Sequence, residues 1–359
     1  MTVASRFWGW MKGFPLSVAL LIATAMACRT TPQVAGGGAP TEPSRMKAAQ
    51  IERFGPPDAI TLNDVPVPAP GPEQVLVEVH ASSINPVDTY IREGKRQQRF
   101  PLTLPVTLGS DVAGVVKKLG DGVTSLNVGE SVYGQAAVTG GGSGAFAQYA
   151  VAQASRLARM PHNLGFTEAA SLPLVGVSAL QAIVEYMKVA PGQKILIQGG
   201  GGGIGSIAIQ IAKHAGAYVA TTATGDDLAF VKELGVDQVI DYKAQRFDDV
   251  LSGYDGAFDT VGGDTFMRTF AVLRRGGILV SMTHPPKTEL AERYGVTVID
   301  ESTRMETGEL DLLTHLVLAG VVTAHVDRAY PLDRIREAFA DKERGSGSVR
   351  GKIAIVMIP

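Results

Sequence analysis

The sequence predicts an α/β protein that combines a compact, barrel-like β domain with a doubly wound parallel sheet. Three observations support this fold class. Between Gln74 and Val151, short β-type runs are separated by Gly and Pro, as in a barrel-like β domain. From about Ala169, strands and helical patterns alternate, which is typical of a parallel sheet with helices on both faces. A glycine-rich run, residues 199–205, stands between the first strand and the first long helix of that second region.

The composition supports a folded body of about two domains. The chain has 359 residues, of which 45% are hydrophobic and 19% charged, so it is globular rather than disordered. Its formal net charge is −2, and this mildly acidic balance argues against nucleic acid as a partner. Cys28 is the single cysteine, which excludes disulfides within the chain, a cysteine-based zinc knuckle and a cysteine nucleophile in the folded body.

The first 45 residues differ in amino-acid composition and pattern from the rest of the chain. A short apolar run, residues 16–27, follows a basic residue and leads directly into Cys28, which resembles a secretory signal that ends in a lipidated cysteine. Residues 1–28 are therefore interpreted as a signal segment, and residues 29–45, rich in Thr, Pro, Gly and Ala, as a flexible linker. We expect a cell-envelope lipoprotein, held at a membrane only through a lipid on Cys28. The alternative is a cytoplasmic protein whose true start is Met46.

The remaining chain divides into three ranges. Residues 46–168 form the predicted β domain, and residues 169–322 form the predicted domain of alternating strands and helices. Residues 323–359 supply one more helix and a final strand, and we expect them to return to the β domain. The strands predicted within the second range are Lys194–Gln198, Tyr218–Thr222, Gln238–Ile240, Ala257–Asp259 and Ile278–Met282.

The glycine-rich run has the context of a dinucleotide site. Residues 199–205 follow a predicted strand, open a predicted helix and contain the pattern G-x-G-x-x-G. The first glycine permits the tight turn, the second lets backbone approach a pyrophosphate, and the third lets helix and strand pack closely. The helix N-terminus then supplies N–H groups to the anion. The cofactor-binding residues predicted here are Gly200, Gly202, Gly203, Ile204 and Gly205.

The second strand of this domain favours NADP(H) over NAD(H). NAD-selective sites carry an acid at the tip of that strand, whereas this strand ends at Ala223 and Thr224 without one. Asp226 and Asp227 follow closely and would repel a 2′-phosphate that they faced, unless they cap the next helix. One candidate contact to the nucleotide, Lys243, has the alternative interpretation of an ordinary surface lysine. The candidate contacts to the nucleotide are Thr224, Tyr242, Lys243 and Arg350.

Several short motifs, taken in their order, identify a family. They are Asn85-Pro-Val-Asp88-Thr-Tyr90, Leu108-Gly-Ser-Asp111, Ala170-Ser-Leu-Pro173, Asp259-Thr-Val-Gly262-Gly263 and Arg350-Gly-Lys352. Over essentially the whole chain from Met46, the sequence resembles the zinc-independent, zeta-crystallin-type quinone oxidoreductases of the medium-chain dehydrogenase/reductase superfamily. The resemblance implies a GroES-like catalytic domain formed by both chain ends, with a Rossmann domain inserted.

The resemblance also implies an active site without zinc. Zinc-dependent relatives carry Cys and then Gly-His-Glu where this chain has Asn85 and Ser110-Asp111, and without thiolate ligands no catalytic zinc is expected. The residues that match the family's catalytic site are Asn85, Asp88 and Tyr90. Asn85 would hydrogen-bond the acceptor or the nicotinamide ribose, and Tyr90 would donate to the developing enolate or lie over the substrate. A packed loop with internal hydrogen bonds is the alternative for Asp88 and Tyr90.

Three further residues and an assembly follow from the same resemblance. Ser178 would keep a hydroxyl near the cofactor, while Gly262 and Gly263 would let backbone approach its nicotinamide half. The family's mode of association implies a homodimer joined through strands of the Rossmann domain, with Ile278–Met282 near the joining edge.

Without a metal, the acceptor must already be electrophilic. We therefore expect NADPH-dependent hydride transfer to small-molecule quinones or α,β-unsaturated carbonyls. The alternatives are a non-catalytic module that binds NADP(H), and a zinc-free relative that acts on another carbonyl or enoyl substrate. The presence of Asn85, Asp88 and Tyr90 favours the enzyme.

Overall fold

The computed structural model describes residues 43–95, 97–283, 287–345 and 349–357. The predicted signal segment, including Cys28, and most of the predicted linker lie outside these ranges. Within them, no helix has the length and apolar character needed to cross a membrane.

The first part of the described chain consists mainly of strands joined by short connections. These strands are β1 (Arg45–Ile51), β2 (Ile60–Pro66), β3 (Gln74–Ser83), β4 (Val106–Thr107), β5 (Asp111–Leu119), β6 (Ser131–Gln135), β7 (Tyr149–Gln153) and β8 (Leu157–Arg159). Helix α1 (Pro86–Arg92) follows β3, and 3₁₀ turns occupy Pro57–Ala59, Val138–Gly140 and Ala154–Arg156.

The second part alternates helices and strands. It opens with α2 (Phe166–Ala170) and α3 (Pro173–Leu180), and a π-helical segment, Gln181–Tyr186, continues α3. The elements that follow are β9 (Lys194–Gln198), α4 (Gly203–His214), β10 (Tyr218–Ala223), α5 (Asp227–Glu233), β11 (Gln238–Asp241), α6 (Phe247–Val250), β12 (Tyr254–Asp259), α7 (Gly263–Thr269), β13 (Leu273–Ser281), α8 (Thr288–Tyr294), β14 (Thr297–Asp300) and α9 (Thr307–Leu318).

The last part returns to the first. It contains β15 (Val326–Pro331), a 3₁₀ turn at Leu332–Arg334, α10 (Ile335–Lys342) and β16 (Lys352–Val356). β16 pairs antiparallel with β3, with Ala354 opposite Ser83. Strands from the first and the last part of the described chain therefore build one domain.

The strands of the second part form a parallel sheet in the order β11-β10-β9-β12-β13-β14. The strand order reverses between β9 and β12, which is where doubly wound sheets bind ligands. β9 is buried on both faces, since Ile195 and Ile197 pack into one apolar core and Leu196 into the other. The predicted α/β fold class is confirmed. β14 is one edge strand of this sheet, and it pairs with β13, which contains most of the segment predicted to lie near the dimer edge. The homodimer itself stays a prediction.

The β domain has a separate core. Its main sheet runs β15-β16-β3-β5-β6-β8, with β7 also paired to β3, and a small sheet, β2-β1-β4, packs nearby. Val77, Phe146 and Ile355 are fully buried together, so residues from both ends of the described chain fill this core.

Candidate active site

The glycine loop connects β9 to α4 at the carboxyl edge of the parallel sheet. Gly199 adopts a left-handed conformation with φ of 75°, and α4 begins directly after Gly202, its N-cap. A Cβ on Gly200 would lie 2.2 Å from Thr221 Oγ1, and one on Gly205 would lie 2.3 Å from the Gly199 carbonyl oxygen. The loop therefore packs against β10 and enters α4 only because these side chains are missing.

The other face of the loop is open. A Cβ on Gly202 would meet only the Gly199 carbonyl oxygen, at 3.4 Å. The N–H groups of the first turn of α4, which include those of Gly203 and Ile204, have no partner within the helix and point out of its N-terminal end. Together with the positive end of the helix dipole, they form a site for an anion such as a pyrophosphate.

A cavity of about 520 Å³ lies over this open face. Its size falls within the roughly 300–1,000 Å³ range of small-molecule sites. The glycine loop forms one wall, and the ends of β9, β10 and β12 contribute Gln198, Ala223 and Thr260. Arg246 and Arg268 line the same cavity. The open space at Gly202 and the cationic lining both fit a bound dinucleotide.

The predicted nucleotide contacts are distributed unevenly around this cavity. Tyr242 lines it, as Gly202 does. The Thr224 side chain is almost fully buried, and its carbonyl oxygen accepts the Asp227 N–H at 3.2 Å. Lys243 is exposed and does not line the cavity. Arg350 does not line the cavity, and its Nε lies 3.6 Å from Asp327 Oδ1.

Asp227 is the acid of this region that faces the cavity. It starts α5 and also lines the cavity, and a Cβ on Gly201 would lie 2.4 Å from Asp227 Oδ2. Its Oδ1 is buried without a hydrogen-bond partner in the described part of the chain. Burial raises the pKa of Asp227, and the charge of Arg350 opposes this effect. The alternative that these acids cap the helix is not supported, since the N-cap Asp226 makes no side-chain cap hydrogen bond.

Ser178 and the glycines after β12 do not line the cavity. The Ser178 hydroxyl is fully buried, donates to the Leu174 carbonyl at 2.7 Å and lies 2.7 Å from Thr303 Oγ1. The Ser178 hydroxyl is thus bonded internally, and its place near the cofactor stays a prediction. Gly262 and Gly263 have φ of 81° and 58° at the start of α7, where backbone of this shape favours glycine.

Two of the three residues predicted to be catalytic, Asn85 and Asp88, belong to a buried polar network where β3, α1, β5 and β16 meet. Asn85 Nδ2 donates to Asp111 Oδ2 at 2.8 Å, and Asn85 Oδ1 accepts a hydrogen bond from Lys352 Nζ. Lys352 also donates to the Ile84 carbonyl at 2.9 Å and lies 3.8 Å from Asp111 Oδ2. Asp88 Oδ2 accepts the Asn85 backbone N–H at 2.8 Å.

This network gives internal hydrogen-bond partners to two of the residues predicted to be catalytic. Asn85 and Asp88 are fully buried, and both ends of the Asn85 amide are already bonded within the protein. The contact of Asn85 with the acceptor or the nicotinamide ribose stays a prediction. The internal hydrogen bonds expected as the alternative for Asp88 are present, including one from Ser110 Oγ at 2.8 Å. Tyr90 lies on α1 with 37% of its surface exposed and does not line the cavity.

The charges of this network perturb one another. Burial raises the pKa of Asp88 to about 7, against the lowering effect of the hydrogen bonds from Asn85 and Ser110. Burial likewise raises the pKa of Asp111, while Lys352 opposes the shift. Burial lowers the pKa of Lys352 to about 8, and the two carboxyl groups oppose that shift.

The raised pKa of Asp88 predicts a pH-dependent stability. Since the folded state binds this proton more tightly than the unfolded state, the free energy of unfolding should fall as pH rises from about 4 to 7. The fall should be at most ~4 kcal/mol, because a pKa difference of one is worth about 1.4 kcal/mol. Chemical denaturation across this pH range should show a shallower downward slope for Asp88→Asn than for wild type, and the slope that remains is assigned to other carboxyl groups with a raised pKa, such as Asp111. A variant with the wild-type slope would contradict the assignment.

Two groups of known proteins resemble this chain at the level of domains. Residues 71–162 match the family described as alcohol dehydrogenase GroES-like domain, and residues 234–355 match the family described as zinc-binding dehydrogenase. In the described part of the chain, no group of three or more His, Cys, Asp and Glu side chains is placed to hold a metal ion.

Whole-chain relatives agree with these domain matches. The 2-methylene-furan-3-one reductase of Solanum lycopersicum is 36% identical over 88% of this chain and 80% of its own. The chloroplastic NADPH-dependent alkenal/one oxidoreductase of Arabidopsis thaliana is 34% identical over 88% of this chain and 81% of its own. The structure of the quinone oxidoreductase from Coxiella burnetii superposes with a TM-score of 0.80 at 33% identity, over 88% of this chain and all of that one. This chain therefore belongs to the quinone oxidoreductase-like enzymes of the medium-chain dehydrogenase/reductase superfamily.

Proposed function

We propose that this enzyme is a zinc-independent, NADPH-dependent reductase of α,β-unsaturated carbonyls or quinones. The observation that carries the proposal is the cavity over the glycine loop. This cavity lies at the N-terminus of α4 and at the switch point of the parallel sheet. The relatives named above act on electrophilic acceptors of this kind and support the choice of substrate class.

The chain's own residues would bind, orient and exclude water. A bound nicotinamide supplies hydride, and overall one NADPH and one proton reduce one molecule of acceptor. The loop backbone and the start of α4 hold the phosphates. The network of Asn85, Asp111 and Lys352 fixes the end of β3 and the start of α1 against the C-terminal strand, so the walls beside the acceptor keep their positions during turnover.

The preference for NADPH over NADH has one supporting and one opposing feature. The tip of β10 carries Thr224 in place of an acid, and the cations Arg246 and Arg268 line the cavity. Asp227 opposes the preference, since its buried carboxylate would accept a ribose hydroxyl and repel a 2′-phosphate. We expect the cations to dominate, because the charge of Arg350 already acts on Asp227.

The test is a kinetic panel on the purified enzyme. NADPH and NADH are each combined with 1,4-benzoquinone and with an alkenal, and nucleotide oxidation is followed. We expect steady turnover with NADPH and a lower kcat/KM with NADH. Tight NADPH binding without turnover on any acceptor would favour the non-catalytic module. Turnover only with other carbonyl or enoyl substrates would favour a zinc-free relative that acts on such a substrate. NADH equal to or better than NADPH would assign Asp227 to the ribose.

Zinc independence is tested on the same preparation. Metal analysis should find no stoichiometric zinc, and a chelator should leave the rate unchanged, because the sequence offers no cysteine after Cys28. One zinc per chain together with chelator-sensitive activity would overturn this part of the proposal.

The cellular location remains a proposal of its own. We propose that Cys28 is lipidated and that the enzyme is held at the cell envelope, as the basic start, short apolar run and small residues before Cys28 suggest. In the native host, wild-type protein should fractionate with membranes, and Cys28→Ala should not. A soluble, unlipidated wild-type protein that begins at Met46 would favour the cytoplasmic alternative.

A further inference from the structure

Lys342 is a half-buried cation that the networks described above do not use. It is the last residue of α10, in the C-terminal return segment, and it lines the cavity over the glycine loop. Burial alone lowers the pKa of Lys342, with no contribution from an acidic group in the described chain. The cavity therefore holds a desolvated positive charge, which is costly unless an anion joins it.

The acids nearest to Lys342 in sequence and in the cavity have other partners. Asp341, its neighbour, accepts hydrogen bonds from Arg328 at 2.9 Å and from Tyr330. Asp227 lines the same cavity, but the cation that acts on it is Arg350. Neither carboxylate compensates the charge of Lys342.

Lys342 lies near Lys352, a residue that contacts the start of α4. Its charge lowers the pKa of Lys352, so the two ammonium groups repel each other. The stem of Lys352 passes the first residue of α4, where a Cβ on Gly203 would lie 2.9 Å from Lys352 Cδ. The Gly351 N–H donates to the Gly201 carbonyl at 2.9 Å. The return segment is thus in contact with the glycine loop, and Lys342 faces the same space from the β domain.

These features identify an anion site with two sides. The positive end of the α4 dipole and the loop N–H groups lie on one side, and the Lys342 ammonium lies on the other. We propose that Lys342 binds the pyrophosphate of the nicotinamide nucleotide from the β domain, opposite the glycine loop. This inference rests on the proposed use of a nicotinamide nucleotide, and it assigns the return segment a part in cofactor binding as well as in the β sheet. Because the pyrophosphate is common to both nucleotides, Lys342 should contribute to the binding of NADPH and NADH alike.

Binding measurements on three variants test this inference. Lys342→Met removes the charge, Lys342→Arg keeps it, and Lys118→Met removes a lysine from an exposed position of β5 as the matched control. Dissociation constants for NADPH and NADH are measured by fluorescence titration, and the thermal midpoint of each nucleotide-free protein is measured in parallel. Lys342→Met should weaken both nucleotides by about 10-fold or more, as expected for a charged hydrogen bond. Lys342→Arg should stay near wild type, and so should Lys118→Met.

The nucleotide-free midpoint separates binding from folding. Lys342→Met should not lower it, because the change removes a half-buried positive charge on which no acidic group of the described chain acts. Wild-type affinity for both nucleotides in Lys342→Met would overturn the inference. A loss confined to NADPH would also overturn it, because it would place Lys342 at the 2′-phosphate instead. Wild-type protein that binds neither nucleotide would refute the proposed function itself. Wild-type protein that binds both nucleotides, with the same affinities in Lys342→Met, would refute only the role of Lys342.

Discussion

A Lys352→Met protein is expected to lose about 3–5 kcal/mol of unfolding free energy, because the change leaves buried carboxyl groups without their cation. The Lys352 side chain is 6% exposed, Asp111 is fully buried, and Asn85 would lose a hydrogen-bond donor at Oδ1. Chemical denaturation at pH 7 measures the loss. The loss should shrink at low pH, where protonation of Asp111 removes the uncompensated negative charge. Lys118→Met, on the exposed face of β5, should change stability by less than ~0.5 kcal/mol.

A double-mutant cycle shows whether the effect belongs to this network. Asp111→Asn keeps the size of the side chain but removes its charge, so Lys352 should lose an ion pair in that variant. The combined Lys352→Met and Asp111→Asn protein should lose less than the sum of the single losses, by at least ~1 kcal/mol. Additive losses, or a Lys352→Met protein as stable as wild type, would contradict the network.

The second large effect is expected from Gly205→Ala. The new Cβ would lie 2.3 Å from the Gly199 carbonyl oxygen and 2.9 Å from Gly200 Cα, so the backbone of the loop must move. Overpacking of this kind costs ~1–3 kcal/mol, and a displaced loop no longer presents its N–H groups to a phosphate. We expect NADPH affinity to fall by more than about 10-fold, at about 1.4 kcal/mol per tenfold change, together with a lower thermal midpoint.

Gly202→Ala is the matched comparison within the same loop. Gly202 has φ of −78°, which any residue adopts, and its Cβ would meet one atom at 3.4 Å. This variant should keep the wild-type thermal midpoint and still bind NADPH more weakly, because the methyl group projects where the pyrophosphate approaches. Equal midpoints for Gly205→Ala and wild type would refute the packing argument. Undiminished NADPH affinity in Gly202→Ala would refute the placement of the phosphate.

The glycine loop could be predicted from sequence because its requirements are local. A strand, a turn without side chains and a helix start follow one another within residues 194–214, and their order alone specifies the anion site. The alternation of strands and helices likewise predicted the parallel sheet, since β9 is apolar at consecutive positions.

The polar network could not be derived in the same way. Asn85 and Asp88 were found through a resemblance, but their burial depends on Lys352, which lies 267 positions from Asn85 in the chain. A lysine at the start of the apolar strand β16 was the one available signal. Lys342 carried still less information, because a lysine that ends a helix is typical of a solvated surface. Only the fold places it against the cavity.

Transfer of deuterium from cofactor to product tests the central claim most directly. The enzyme, freed of metal by dialysis against a chelator, is given an α,β-unsaturated ketone and NADPH that carries deuterium at both C4 positions of the nicotinamide. Hydride transfer from the nicotinamide predicts a saturated ketone with one deuterium on its β-carbon, formed in equal amount to the NADPH consumed. Product without deuterium, or no product while NADPH binds normally, would contradict it.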